Sequence, residues 1–197
     1  MALGGAARIR QRAGMKAFLD FEASSLSDQS YPIEVAWVFE DGRSESHLIA
    51  PAPAWNDWDQ AAEAIHGITR EALRRDGEPH DVVARRMVEA LMGCDLFASA
   101  PSWDGKWLSV LLRAAGLPRH SLRLRDTDEA LWDTVAEILR PIVPMARLEG
   151  EVHNIIARAG VAKERQPAHR ALPDAIGEHG TWLHAGQAAR ARVLELE

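Results

Sequence analysis

Cysteine is almost missing from this chain: Cys94 is the only one in 197 residues. An internal disulfide framework and any multi-cysteine zinc site are therefore excluded, and a lone thiol fits a reducing cytoplasm. Long apolar runs are missing as well. No stretch approaches the roughly 18 to 20 apolar residues that a membrane helix needs, so no membrane partner is expected. The first sixteen residues carry Arg8, Arg10, Arg12 and Lys16 with no acid, yet they lack the apolar core of a secretory signal. Residues 1–14 are expected to be a disordered extension, or Met15 a natural start, with one domain over 15–197. An excess of positive charge is absent too. With 29 acids against 23 Lys and Arg the net charge is -6, which removes a bulk positive field for nucleic acid. Internal repeats, low-complexity tracts and linker compositions do not occur.

What is present is an ordinary globular balance, 47% apolar and 26% charged, at a length that removes roughly 70% of the unfolded surface from water. A core of that size holds together without staples. The charge is unevenly spread. Residues 20–63 hold ten acids against Arg43 alone, whereas Arg140, Arg147, Arg158, Lys163, Arg165 and Arg170 face only Glu149, Glu151 and Glu164. On charge alone, these are two solvated faces.

Apolar periodicity predicts strands over 17–22, 33–39 and 44–49, with Asp41-Gly42 as a tight turn, hence an antiparallel start. Helical spacing follows over 59–65, 69–75 and 79–92, broken by His66-Gly67-Ile68. A short strand at 96–99, a helix over 104–115, a last strand near 122–124 and a helix over 128–139 come next. The remainder is helical, with a final helix from about Ala171. Strands separated by crossover-length helices imply parallel neighbours after the antiparallel beginning, so the fold class is α/β with a mixed sheet.

Asp20 and Glu22 lie two apart in the apolar run Phe18-Leu19-Asp20-Phe21-Glu22, which puts both acids on one strand face about 6 to 7 Å apart. Like charges that close raise each other's pKa unless one is protonated, both are solvated, or a divalent cation is held between them. Asp104, near a helix start, is also what a dipole-stabilising acid would be. Pro173 belongs in a first turn and sets the last helix start near Arg170. That brings His169 and Asp174 toward one point, although a surface histidine and a first-turn acid would look the same.

Together these residues resemble the DEDDh 3′-to-5′ exonucleases, the superfamily of polymerase proofreading subunits and ribonuclease T, with a ribonuclease H-like fold. Residues Phe18 to Glu22 look like its first motif, Trp103-Asp104-Gly105-Lys106-Trp107-Leu108 like its second, and His169 through Asp174 like its third, of form His-x-Ala-x-x-Asp. Ile65-His66-Gly67-Ile68-Thr69 is similar to a further marker. The likeness runs roughly from Lys16 to Gly180, and order and spacing make the set more specific than any one motif. Ala23 and Ala100 depart from the pattern, where a threonine and an asparagine are usual; neither position is a metal ligand in it.

The resemblance implies a five-stranded mixed sheet, an antiparallel three-strand meander followed by parallel strands, flanked by helices. It implies that Asp20, Glu22, Asp104 and Asp174 hold two Mg2+ or Mn2+ ions, with His169 as general base. Oxygen ligands suit such hard cations, and paired ions stabilise attacking and leaving oxygens in phosphoryl displacement. The implied activity is stepwise release of nucleoside 5′-monophosphates from the 3′ end of single-stranded DNA or RNA, which would be its partner. Trimming of very short RNA, or a non-catalytic binding module of the same fold, are the alternatives. Substrate-side candidates are His66, Phe21 and Trp103. His66 has a helix cap as its structural alternative, and Trp107 is assigned to the core. Asp126-Thr127 is assigned a structural role. The basic stretch from Arg140 to Arg170 becomes a candidate phosphate track. A homodimer is compatible with the resemblance, dimers occurring among related enzymes.

Overall fold

The structure, a computed structural model, describes residues 14–161 and 168–197. The expected extension at 1–14 lies almost wholly outside the described residues, as do Lys163 and Arg165. Strand β1 (Lys16–Ala23) pairs antiparallel with β2 (Pro32–Phe39), which pairs antiparallel with β3 (Ser44–Ala50). On the other side of β1, β5 (Asp95–Ala98) and β6 (Leu124–Asp126) add in parallel. The sheet order is β4-β3-β2-β1-β5-β6, which places β1 centrally, where the antiparallel and parallel halves meet.

The sheet has six strands rather than five. The addition is β4 (Glu78–Pro79), two residues parallel to the end of β3, where a helix start was expected at Pro79. Proline is tolerated on such an edge because it owes no ladder hydrogen bond there. The approach is close: a Cβ on Gly77 would sit 2.3 Å from Leu73 O and 2.7 Å from Ala50 N, so only glycine fits. Likewise β6 falls two residues later than the apolar residues suggest. Leu122 is buried in the core while Leu124, Arg125 and Asp126 pair with Leu96, Phe97 and Ala98.

The helices are α1 (Gln60–His66), α2 (Arg70–Asp76), α3 (His80–Leu91), α4 (Pro101–Ala114), α5 (Thr127–Leu139), α6 (Met145–Val161) and α7 (Ala171–Leu196). Asp59 and Thr69 cap α1 and α2 by accepting backbone N–H bonds, and Gly67 ends α1 at φ 69°, a left-handed conformation that glycine adopts without strain. Helix α4 starts three residues before the expected Asp104, because Pro101 occupies its first turn, where a missing N–H costs nothing.

Strand alternation sorts β1 between two cores. Ala17, Leu19 and Phe21 pack with Val35, Trp37, Met87, Trp107 and Leu111 under α3 and α4. Phe18 faces the opposite way, with Phe97, Leu131, Val152 and Trp182 under α5, α6 and α7. Asp20 and Glu22 share the face of Phe18 and project beyond its packing. Pairing with β5 ends at Phe18, so the second half of β1 outruns its parallel neighbour. The starts of α4 and α7, which carry Asp104 and Asp174, come to that half of β1, which is where open α/β sheets place their ligands.

Candidate active site

One carboxylate oxygen from each of Asp20, Glu22 and Asp174 lies within 4.8 Å of the other two. The first two come from the predicted strand face. The third comes from the first turn of α7, whose packing against β1 and β2 carries its N-terminus to the end of β1. Asp104, in the first turn of α4, is 2% exposed, and its Oδ2 is buried without a hydrogen-bond partner. Asp104 is not one of these three, but its charge reaches both Asp20 and Glu22.

Their protonation shows the cost of this arrangement. Burial, then the charges of Asp104, Glu22, Asp174 and Glu178, push the Asp20 carboxyl up to about 9. Burial followed by Asp174 and Glu34 raises Glu22 to about 7, while Arg170 opposes the rise. Burial raises Asp104 to about 7 against hydrogen bonds from the backbone of Ala100 and Phe21. Anions are disfavoured in the bare site, which is the condition under which a divalent cation binds with most effect. An oxygen-only donor set of this kind fits a hard divalent cation rather than a soft metal.

His169 sits just ahead of α7 at φ 52°. A non-glycine residue there is held at a cost of about 1 to 2 kcal/mol by its surroundings. Those surroundings are specific. The Ala168 N–H donates to Asp174 Oδ1 at 2.8 Å. Arg170 donates through Nε and Nη2 to the two oxygens of Glu34 at 3.0 and 2.7 Å, and the Ala171 N–H donates to Glu34 Oε2 at 2.9 Å. Arg170, counted in the basic track, is therefore engaged by the fold.

Two acids escaped the sequence reasoning. Glu34, 3% exposed, stands opposite Glu22 in the β1/β2 register; it was hidden in a strand whose neighbours are all buried. Glu178, 6% exposed, lies one turn beyond Asp174, and its charge reaches both Asp20 and Asp104. Its spacing of four from Asp174 was the available signal, since such residues share a helix face.

The substrate-side candidates divide. Trp103 is 36% exposed, with Lys106 Nζ 5.0 Å from its ring centroid and Trp107 beside it at 5.7 Å. Lys106 also donates to Ser27 O and Ser30 Oγ, tying α4 to the loop after β1. Trp107 is core, donating to Ser30 Oγ. His66 is buried, and its Nδ1 accepts from the Ile68 N–H at 3.0 Å, a bond within the turn between α1 and α2 rather than a helix cap, since Gly67 and Thr69 fill those places. That bond leaves Nε2, which has no hydrogen-bond partner, to carry the proton of the neutral ring. Burial lowers its pKa, and the charges of Glu34, Arg170 and His169 reach it, which sets it beside the His169 loop. Phe21 corrects the expectation: its ring is 4% exposed in the core on the other side of the sheet. Strand alternation turned it away from Asp20, and it offers no stacking face. Asp126 caps α5 in a capping box with Glu129, a structural role as expected.

Solved structures with the same architecture complete the description. E. coli exonuclease I, in a zinc-bound complex with single-stranded DNA, matches with a TM-score of 0.63 at 17% identity, covering 93% of this chain and 42% of that one. The chain shares the fold of this part of exonuclease I. The same protein with a dT13 oligonucleotide matches at TM-score 0.62 and 18% identity over 92% of this chain and 43% of that one. With a dA16 oligonucleotide the values are 0.63, 16%, 92% and 42%. The chain thus spans less than half the length of these exonuclease structures. No family model and no curated protein sequence matches it. Among the described residues, no helix is long and apolar enough to cross a membrane.

Proposed function

We propose that the protein is a metal-dependent 3′-to-5′ exonuclease acting on single-stranded nucleic acid. The observation that carries this is the meeting of Asp20, Glu22 and Asp174 within 4.8 Å, with buried Asp104 beside them, at the end of the central strand of an exonuclease fold. Asp20, Glu22, Asp104 and Asp174 would hold two Mg2+ or Mn2+ ions. When bound, such ions supply charge neutralisation for the attacking and leaving oxygens of the phosphodiester.

His169 takes the proton of the attacking water. An imidazole nitrogen can accept that proton, and its place on an exposed turn leaves the ring open to solvent and substrate. Trp103 receives a base on its open face, with Lys106 adding positive charge near the phosphates. Exposed Arg140, Arg147 and Arg158, on and just before the helix leading to the His169 turn, guide the phosphates inward. The neighbouring exonuclease structures hold single-stranded DNA, which makes DNA the first substrate to try.

The test is digestion of 5′-labelled single-stranded DNA and RNA oligonucleotides with Mn2+, beside a chelator control and Asp20→Asn. A ladder shortening from the 3′ end, dependent on metal and absent in Asp20→Asn, is expected. Internal cuts, or shortening that survives chelator and substitution, would refute the reading.

A further inference from the structure

We propose that Glu34 is a positioning residue for His169, acting as a cap on α7 supplied from another element. The inference rests on the exonuclease reading and goes beyond its catalytic set. Helix α7 has no side-chain cap of its own: Arg170 stands at the N-cap in extended conformation, at φ -143° and ψ 130°. The first N–H groups of a helix have no partners within it, and a neighbouring side chain normally supplies one. Here it comes from the middle strand of the meander, 137 residues earlier in the chain, as the bond from the Ala171 N–H to Glu34 Oε2.

The same carboxylate grips Arg170 by a two-point fork, the arrangement that gives an arginine a fixed direction as well as a charge. Three donors from two successive residues thus end on one group that is 3% exposed. Those residues follow His169 immediately, and the one before His169 is held by Asp174. The left-handed turn at His169 is therefore pinned on both sides, by Glu34 of β2 on one and by Asp174 of the acid cluster on the other. Strain of this sort persists only where neighbours over-determine it. With Glu34 gone, the His169 turn relaxes while the acids on β1 stay where the sheet holds them.

The experiment is a double-mutant cycle with Glu34→Gln and His169→Ala in the full chain, followed by Mn2+-dependent digestion of a single-stranded oligonucleotide. Glutamine keeps the volume but cannot accept three donors with both atoms. Glu34→Gln should lower kcat by about 10- to 100-fold, with KM within about twofold of the parent value. Added to His169→Ala it should cost nothing more, since there is then no imidazole to position. A full kcat, a loss confined to KM, or losses that multiply would overturn the proposal, because a merely structural role predicts additivity. Should Glu34→Gln melt below assay temperature, Arg170→Lys is judged by the same cycle, as an ammonium cannot reproduce the fork.

A second arm needs no activity. In the metal-free protein, NMR should show the Ala171 amide exchanging faster and the His169 ring signals displaced in Glu34→Gln. Unchanged exchange and ring signals would overturn the positioning role. If the parent protein cleaves nothing, the exonuclease reading falls, and this arm alone decides whether Glu34 orders the turn.

Discussion

Asp20 is the residue on which most of the chemistry converges, and it stabilises the bare fold only when protonated. Its carboxyl and those of Glu22 and Asp104 titrate higher in the folded chain than in the unfolded one. The folded state therefore holds protons more tightly, so the stability these groups contribute is complete below about pH 4 and is lost as pH rises through about 7 and then about 9. In chelator, the melting temperature of the parent should fall between about pH 5 and pH 9 more steeply than that of Asp20→Asn. The variant should be the more stable of the two at alkaline pH while being inactive. Parallel melting curves would mean that Asp20 is not held protonated by its neighbours. The acids at this scale were partly legible. Period-two spacing exposed Asp20 and Glu22, whereas Glu34 looked like one more strand residue because its face depends on which strand lies beside it.

At the scale of elements, helix starts differ in what they carry. Helix α4 begins on Pro101 and so carries both Trp103 and Asp104 in its first turn. Trp103→Ala should weaken binding of a single-stranded oligonucleotide by about 1 to 3 kcal/mol, roughly 5- to 150-fold. Fluorescence anisotropy with Ca2+ in place of Mn2+ measures it, and equal affinity would remove Trp103 from the substrate path. Helix α5 shows the contrasting case of a start with a purely structural acid. Asp126→Ala deletes the capping box and should cost about 1 kcal/mol, or about 2 to 4 °C in melting temperature, with cleavage retained. Helices were legible from their apolar spacing to within a few residues. The start of α7 was legible as well, because Pro173 set it near Arg170, whereas α4 begins at Pro101, three residues before the expected Asp104.

For the molecule as a whole, the two cores on either side of β1 hold an acid cluster that opposes folding until a cation arrives. Mn2+ at about a hundred times its dissociation constant should add about 2.7 kcal/mol to stability, read as a rise in melting temperature. Asp20→Asn should abolish most of that rise, and a parent melting curve indifferent to Mn2+ would count against the metal site. The charge asymmetry along the chain acts at this scale as well. Arg158→Glu, on the exposed surface of α6, should weaken oligonucleotide binding and flatten its dependence on salt, because fewer counterions are released.

The sequence by itself determined the elements, the mixed sheet, and the pairing of Asp20 with Glu22, since these follow from local periodicity and turn chemistry that act over a few residues. It also marked Asp104, His169 and Asp174 through short motifs at helix starts. Tertiary structure alone decided that Phe21 belongs to the core, that a sixth strand closes on β3, and that Glu34 and Glu178 stand at the site. Those outcomes depend on strand register and on which face of α7 meets the sheet, and contacts between residues more than a hundred positions apart leave no periodic trace in either segment.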